Sequence, residues 1–310
     1  MPAPFFYRLR ENRMSQTISL KRALHLAMLG FIGSQALPAL ATPVVIQNAY
    51  VKAGVSDYGT LGSDSNTSPG ILFDPTGTGS YGINDFLTPG SPFEGFYVTA
   101  SSGSGGANNA GVSGFGFTSP TSLSPTSASW SGTNGTFNIA NTYSLTTLGG
   151  QSVIAISTVL TNATTASLTG IQFLRTLDPD PDVNAYGSYF TNNVVLSDNQ
   201  ACGTGLSSGQ TICIYSFDSA THKAGVSRSW STSPAVYLAG VNDGNGDYAI
   251  GMGFGLGDLA AGQSITISYG YSLGATREAA IGGTVPEPAS LALLGIGLAG
   301  LGAMRRRKTA

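Results

Sequence analysis

Few side chains in this 310-residue chain could do chemistry, and the densest group is acidic. Asp178-Pro179-Asp180-Pro181-Asp182 places three carboxylates at alternate positions, stiffened by two prolines, with only Arg175 nearby to offset their charge. Asn242-Asp243-Gly244-Asn245-Gly246-Asp247 is similar, and its glycines permit tight curvature. Alternating Asp and Asn in a loop can wrap hard oxygen ligands around Ca²⁺. Neither loop completes the EF-hand pattern: Val183 or Tyr248 stands where Gly is required, and Tyr189 or Phe254 where Glu is required. Asp178, Asp180 and Asp182 are therefore the expected calcium ligands. Asn242–Asp247 reads as a hairpin turn, because Asp-Gly and Asn-Gly suit positive φ.

Other chemistry is sparse. Beyond residue 41 there is one histidine, His222, and there are two cysteines, Cys202 and Cys213. A Ser-His-Asp or Cys-His site would have to use His222. That residue lies in Ser219–Lys223, which reads as a solvated polar turn. A zinc site needs three or four close ligands, and no such set stands out.

These residues need a scaffold, and the composition specifies its kind. There are 43 glycines, and charged residues make up 10% of the chain against roughly a quarter in ordinary domains. That excludes a coiled coil or helical bundle. A hydrophobic fraction of 41% argues against a disordered chain. Ile265, Ile267, Tyr269, Tyr271 and Leu273 alternate with small or polar residues, which is the period of a half-buried strand. Gln151–Leu160 is more uniformly apolar, as in a central strand. Further strands are expected at Val44–Val51, Phe96–Ala100, Val112–Thr118, Thr136–Leu145, Leu168–Leu177, Thr211–Phe217, Val226–Trp230 and Tyr248–Phe254. Ser101–Ala110 reads as a loop or hairpin tip, and Ser119–Ser131 as a linker. The expectation is an all-β, antiparallel β-sandwich over residues 42–283.

Both ends read as address labels. Lys21 and Arg22 precede an apolar run, Ala23–Gly33, and a small-residue site follows at Ala39 and Ala41. Residues 1–41 thus read as a signal peptide cleaved after Ala41, and Met14 would serve equally as its start. The other end reads Val285-Pro286-Glu287-Pro288, then 16 uncharged residues (289–304), then Arg305-Arg306-Arg307-Lys308. Such a helix reaches roughly 24 Å, short of the ~30 Å hydrocarbon core, and Arg305 can snorkel to close the gap. Residues 289–304 are the expected transmembrane helix, with the basic cluster retained in the cytoplasm. Between the two ends, 14 acidic residues face five basic ones, a poor basis for binding nucleic acid. In an exported chain Cys202 and Cys213 are expected to form a disulfide.

The segment 284–310 closely resembles the PEP-CTERM sorting signal, with its Pro-Glu-Pro motif (Pro286, Glu287, Pro288), short Gly-rich helix and basic cluster (Arg305, Arg306, Arg307, Lys308). The resemblance implies an exosortase as partner, beside signal peptidase and the export machinery, and a Gram-negative bacterium with exopolysaccharide genes. It also implies an inner-membrane intermediate that ends at the cell surface or in the extracellular matrix. More faintly, Val153–Pro179 and Gly262–Leu273 resemble strands of extracellular immunoglobulin-like surface modules. The leading expectation is a non-enzymatic surface or matrix protein associated with exopolysaccharide in biofilm or floc. It needs no cofactor, unless Ca²⁺ occupies the acidic loop. One alternative is a secreted polysaccharide-active hydrolase, which requires paired carboxylates about 5–9 Å apart. Another is a carbohydrate- or calcium-binding module, which would expose aromatics such as Trp130, Trp230 or Tyr237 on one face.

Overall fold

A computed structural model describes residues 43–281, apart from 63–67, 89–92, 111, 117 and 149–150. The expected signal peptide, the sorting segment and the helix 289–304 lie outside the described residues. Among those described, no helix is long and apolar enough to cross a membrane.

In chain order the strands begin with β1 (Val44–Gln47), β2 (Val51–Val55), β3 (Ile71–Phe73), β4 (Glu94–Ala100), β5 (Gly103–Asn108) and β6 (Val112–Ser113). They continue with β7 (Thr121–Ser124), β8 (Ser127–Thr133), β9 (Phe137–Leu148), β10 (Gln151–Asn162) and β11 (Leu168–Leu177). After a helical turn α1 (Val183–Tyr186) come β12 (Thr191–Ser197), β13 (Gln200–Gly205), β14 (Thr211–Tyr215) and β15 (Thr221–Ser227). Helix α2 (Pro234–Leu238), β16 (Ala249–Leu259), β17 (Ser264–Gly274) and α3 (Arg277–Ile281) complete the described chain.

The strands form three sheets, and every strand pair is antiparallel. The largest has the order β12-β13-β14-β17-β10-β9-β8-β7, the second β15-β16-β11-β4-β5-β6, and the third β1-β2-β3. Inward side chains from all three meet in one hydrophobic core. Phe173 of the second sheet, for example, packs against Tyr269 of the largest with tilted rings 6.0 Å between centroids. The all-β, antiparallel architecture matches the sequence reading. The segment Val153–Pro179 is a strand-turn-strand unit, as read, and it passes between sheets, because β10 and β11 belong to different ones.

Several elements depart from expectation for physical reasons. Ser101–Ala110 supplies a hairpin tip at Ser101-Ser102, as read, but most of it is β5, in which Gly105 and Gly106 lie against aromatic rings. A Cβ on Gly106 would sit 2.2 Å from Tyr97, and one on Gly105 would sit 2.8 Å from Phe115. Ser119–Ser131 is not a linker but contains β7 and most of β8. The expected strand Val226–Trp230 starts earlier, at Thr221, and stops at Ser227; Trp230 has a φ of 48°.

The second sheet's outer face is built for one helix. Along β16, Ile250, Met252, Phe254 and Leu256 are buried, while Gly251, Gly253 and Gly255 take the other face. Helix α2 lies on that glycine track, with Tyr237 fully buried. A Cβ on Gly251 would approach the Tyr237 ring to 2.6 Å and the Arg175 carbonyl to 3.1 Å, whereas one on Gly255 would meet nothing closer than 3.9 Å. Gly251→Ala is therefore expected to destabilise the fold by about 1–3 kcal/mol through overpacking. Gly255→Ala is expected to be neutral or to stabilise by up to about 1 kcal/mol through the unfolded chain. Urea unfolding of the two variants checks the contrast.

Candidate functional site

Among the described residues, the polar groupings that bear on function lie in the interior, on the outer face of the largest sheet, and in the acidic segment after β11. The interior holds a fully buried ion pair between Glu94 of β4 and Arg175 of β11. The cause is strand alternation. Phe173, Arg175 and Leu177 share the inward face of β11, as Glu94, Phe96 and Val98 share that of β4, and Leu177 pairs with Glu94. Arg175 grips the carboxylate with two donors: Nε bonds Oε1, and Nη2 bonds Oε2 at 2.8 Å. The Leu61 N–H donates to Oε2 at 2.7 Å, and the Tyr271 hydroxyl to Oε1 at 2.8 Å. The guanidinium also lies over the Phe96 and Tyr143 rings, 5.7 and 5.6 Å from their centroids. Burial is the largest influence on Arg175 and lowers its pKa, but Glu94 together with Tyr143, Tyr269 and Tyr271 outweighs it, and the pKa lies well above the ordinary value.

Around the pair the network continues. Tyr143 and Asn141 donate to the Gly59 carbonyl at 2.6 and 3.1 Å, and Thr158 donates to Asn141 at 2.8 Å. Both sheets and the 56–61 loop thus converge on one enclosed cluster. Its Glu94 oxygens and Arg175 nitrogens are occupied by each other and their neighbours, which suits structure more than catalysis. Sequence reading treated Arg175 as relief for the acidic loop. The structure turns it away from that loop and into the core.

The outer face of the largest sheet carries a groove with a cavity volume of ≈ 510 Å³. Strand register builds its floor. Thr142, Ser157 and Ser268 lie side by side on β9, β10 and β17, and Ser144, Ala155 and Gly270 form the next row. The small residues keep this floor shallow. Tyr215 pairs with Gly270, and a Cβ there would come within 3.0 Å of the Tyr215 hydroxyl. Tyr215 and exposed Phe217 form an aromatic wall, their rings 5.7 Å apart, with Asp218 beside them. Asp218 is fixed by the Ala220 and Ser268 N–H groups, both at 2.9 Å. The aromatics anticipated at a binding face lie elsewhere: Trp130 and Tyr237 are buried, and Trp230 is half-buried.

The acidic segment is only partly as expected. Asp178, Asp180 and Asp247 each bring an oxygen into one cluster whose members all lie within 4.8 Å of one another. Asp182 is not among them. It instead accepts hydrogen bonds from the Ser207 and Ser208 N–H groups, at 2.7 and 3.1 Å, and so caps the β13–β14 turn. Asp247 takes its place because Asn242–Asp247 is not a hairpin turn. It connects α2 to β16 and is stitched to β12: the Asn193 N–H donates to Asn245 Oδ1 at 2.9 Å, and Gly246 bridges Thr191. Asp178 and Asp180 are each only 1% exposed. Burial, followed by the charge of Asp247, pushes the Asp178 pKa up to about 8. Burial, followed by Asp178 and Asp247, pushes that of Asp180 up to about 9.

The remaining candidates are simpler. His222 lies in β15 rather than in a turn, opposite Phe254. Its Nδ1 donates to the Ala220 carbonyl at 2.7 Å, and Nε2 lies 3.0 Å from the Asn199 side-chain amide. Cys202 and Cys213 form the disulfide, directly opposite one another on β13 and β14. Helix α3 packs on it through buried Ala280.

The family model of the PEP-CTERM protein-sorting motif matches residues 284–308, immediately beyond α3. The chain therefore carries the sorting signal of exosortase substrates, which implies export, a membrane-associated sorting step and processing by exosortase. No curated protein matches the chain. Among solved structures, it is similar to a protein from Escherichia coli K12 assigned as an aldose 1-epimerase, at 12% identity and a TM-score of 0.41, covering 75% of this chain and 98% of that one. A galactose mutarotase-like protein from Lactobacillus casei gives 11% identity and a TM-score of 0.37, covering 74% and 99%. The heparan sulfate lyase of Pedobacter heparinus gives 10% and 0.27, covering 86% of this chain and 42% of that one.

The interior pair makes a sharp prediction. Glu94→Gln leaves the Arg175 charge buried without its counter-ion and is expected to cost about 3–5 kcal/mol. Arg175→Met should cost a similar amount, and the double variant clearly less than the sum. Denaturant unfolding of the three variants measures that coupling.

Proposed function

We propose that the chain is a non-enzymatic protein of the cell surface or extracellular matrix, sorted by exosortase and associated with exopolysaccharide in biofilm or floc. The sorting motif at residues 284–308 carries this reading. In it, the chain enters the export route through residues 1–41, is cut after Ala41 by signal peptidase, and is held by the helix 289–304. Arg305, Arg306, Arg307 and Lys308 stay on the cytoplasmic side until Pro286-Glu287-Pro288 is recognised. The disulfide between Cys202 and Cys213 agrees with an oxidising destination.

The non-enzymatic part is supported by the commitment of His222, Glu94 and Arg175 to partners within the fold. Both His222 ring nitrogens face fixed partners, and Glu94 and Arg175 are enclosed in the core. The polysaccharide part is supported by the groove, where a floor of small hydroxyls beside Tyr215 and Phe217 offers hydrogen bonds and an apolar wall to a sugar ring. The second reading, a carbohydrate-binding module, rests on that same groove.

Replacing Pro286-Glu287-Pro288 by alanines is expected to leave full-length protein in the membrane fraction, as seen by immunoblot and mass spectrometry of the C-terminus. Unchanged maturation would overturn the sorting claim. Separately, co-sedimentation of the mature protein with exopolysaccharide from its own cells is expected to drop several-fold in Phe217→Ala. Equal retention of variant and wild type would remove the groove from the contact.

A further inference from the structure

We propose that Asp178, Asp180 and Asp247 form a divalent-cation site, best suited to Ca²⁺, that clamps the segment after β11 to the loop before β16. The first support is distance. Oxygens bound to one Ca²⁺ at about 2.4 Å can lie up to about 4.8 Å apart. One oxygen from each aspartate meets that limit against both others. Mg²⁺ holds its ligands at about 2.0–2.1 Å in near-ideal octahedral geometry, so it demands a tighter set. With carboxylates alone and neither imidazole nor thiolate in the group, a hard cation is favoured over zinc or copper.

The second support is independent of the clustering. Asp178 Oδ1 and both carboxylate oxygens of Asp180 are buried and have no hydrogen-bond partner. Buried polar atoms ordinarily find partners, and an unmatched carboxylate is among the costliest groups to enclose. The nearest basic residue in sequence, Arg175, is committed to Glu94. Arg228 lies over the Tyr248 ring, 5.5 Å from its centroid. A cation held by one oxygen of each aspartate would offset the charge of these unpartnered carboxylates.

The main chain of the segment is pinned, so a backbone shift cannot carry its carboxylates into water. The Asp178 N–H donates to the Phe93 carbonyl at 2.9 Å, and that of Asp180 to the Phe86 carbonyl at 2.8 Å. Pro179 lies over Gly203, where a Cβ would come within 2.5 Å of the proline ring. Exposed Asp247 leaves the site open to solvent on one side, which gives the ion an entry path and leaves coordination positions for water. The raised pKa values of Asp178 and Asp180 describe the ion-free pocket, and they are consistent with a place that favours added positive charge.

The test uses the mature protein, first stripped with EGTA. Thermal unfolding at constant pH and ionic strength is expected to show a midpoint higher by about 5–10 °C when Ca²⁺ is at a hundredfold excess over its Kd. Mg²⁺ should give less. Calorimetric titration should show one Ca²⁺ per chain. Asp180→Asn and Asp247→Asn should abolish both signals, and Asp247 is exposed enough for its variant to fold. Asp182→Asn should lower stability but keep the calcium response. Identical midpoints in Ca²⁺ and EGTA for the wild type would overturn the proposal, as would a wild-type response in Asp247→Asn.

Discussion

One buried ion pair constrains nearly everything else in this fold. Removing Glu94 and Arg175 from water is costly, and the attraction between them offsets that cost only with good geometry and filled remaining valences. The structure supplies both, through a two-pronged grip, the Leu61 N–H and the Tyr271 hydroxyl. Those partners come from different places: Glu94 and Arg175 from the second sheet, Tyr271 and Tyr143 from the largest, and Leu61 from the loop after β2. A slip of one residue in either β4 or β11 would turn a charge to the wrong face and leave its partner buried alone. The pair therefore acts more on which arrangement is adopted than on how stable it is. A greasy interior could tolerate several sheet registers, but this one tolerates few.

The glycines serve a second constraint, that of close approach. Large aromatic rings fill the space between and outside the sheets, and several lie flat on backbone that has no side chain. Tyr97 covers Gly106 and Tyr237 covers Gly251, while the Tyr215 hydroxyl reaches over Gly270. The same device makes the core side of α2 fit and gives the outer groove its shallow floor. Composition alone suggests turns for so many glycines. Their position in strands shows that many are contact surfaces.

The strand pattern was legible wherever one face is greasy and the other polar. β11 was read with its observed bounds, Leu168–Leu177, and β17 within one residue at each end. β5 was missed because its sequence, Gly-Ser-Gly-Gly-Ala-Asn, has almost no hydrophobic signal; its strand form depends on rings contributed by Tyr97 and Phe115. The disulfide was legible from an even pair of cysteines in an exported chain. The acidic cluster was half legible. Alternation marked Asp178 and Asp180, but nothing local showed that Asp182 would cap a distant turn or that Asp247, 65 positions or more along the chain, would replace it. Glu94 and Arg175 were readable in principle: each is a lone charge on the apolar face of an alternating strand. Which charge would meet which depends on sheet pairing, and that is a long-range property.

The place of β17 in the largest sheet has a consequence for how the chain is made. This strand ends at Gly274, close before the matched sorting segment begins at 284, yet it lies in the interior of the sheet between β14 and β10. Until it arrives, β12-β13-β14 and β10-β9-β8-β7 are two separate ribbons with open edges, and the Glu94 carboxylate lacks its tyrosine. A chain synthesised from its amino end cannot complete this sheet until almost the whole body has been made. The architecture thus ties closure of the largest sheet to a strand near the carboxyl end of the described residues.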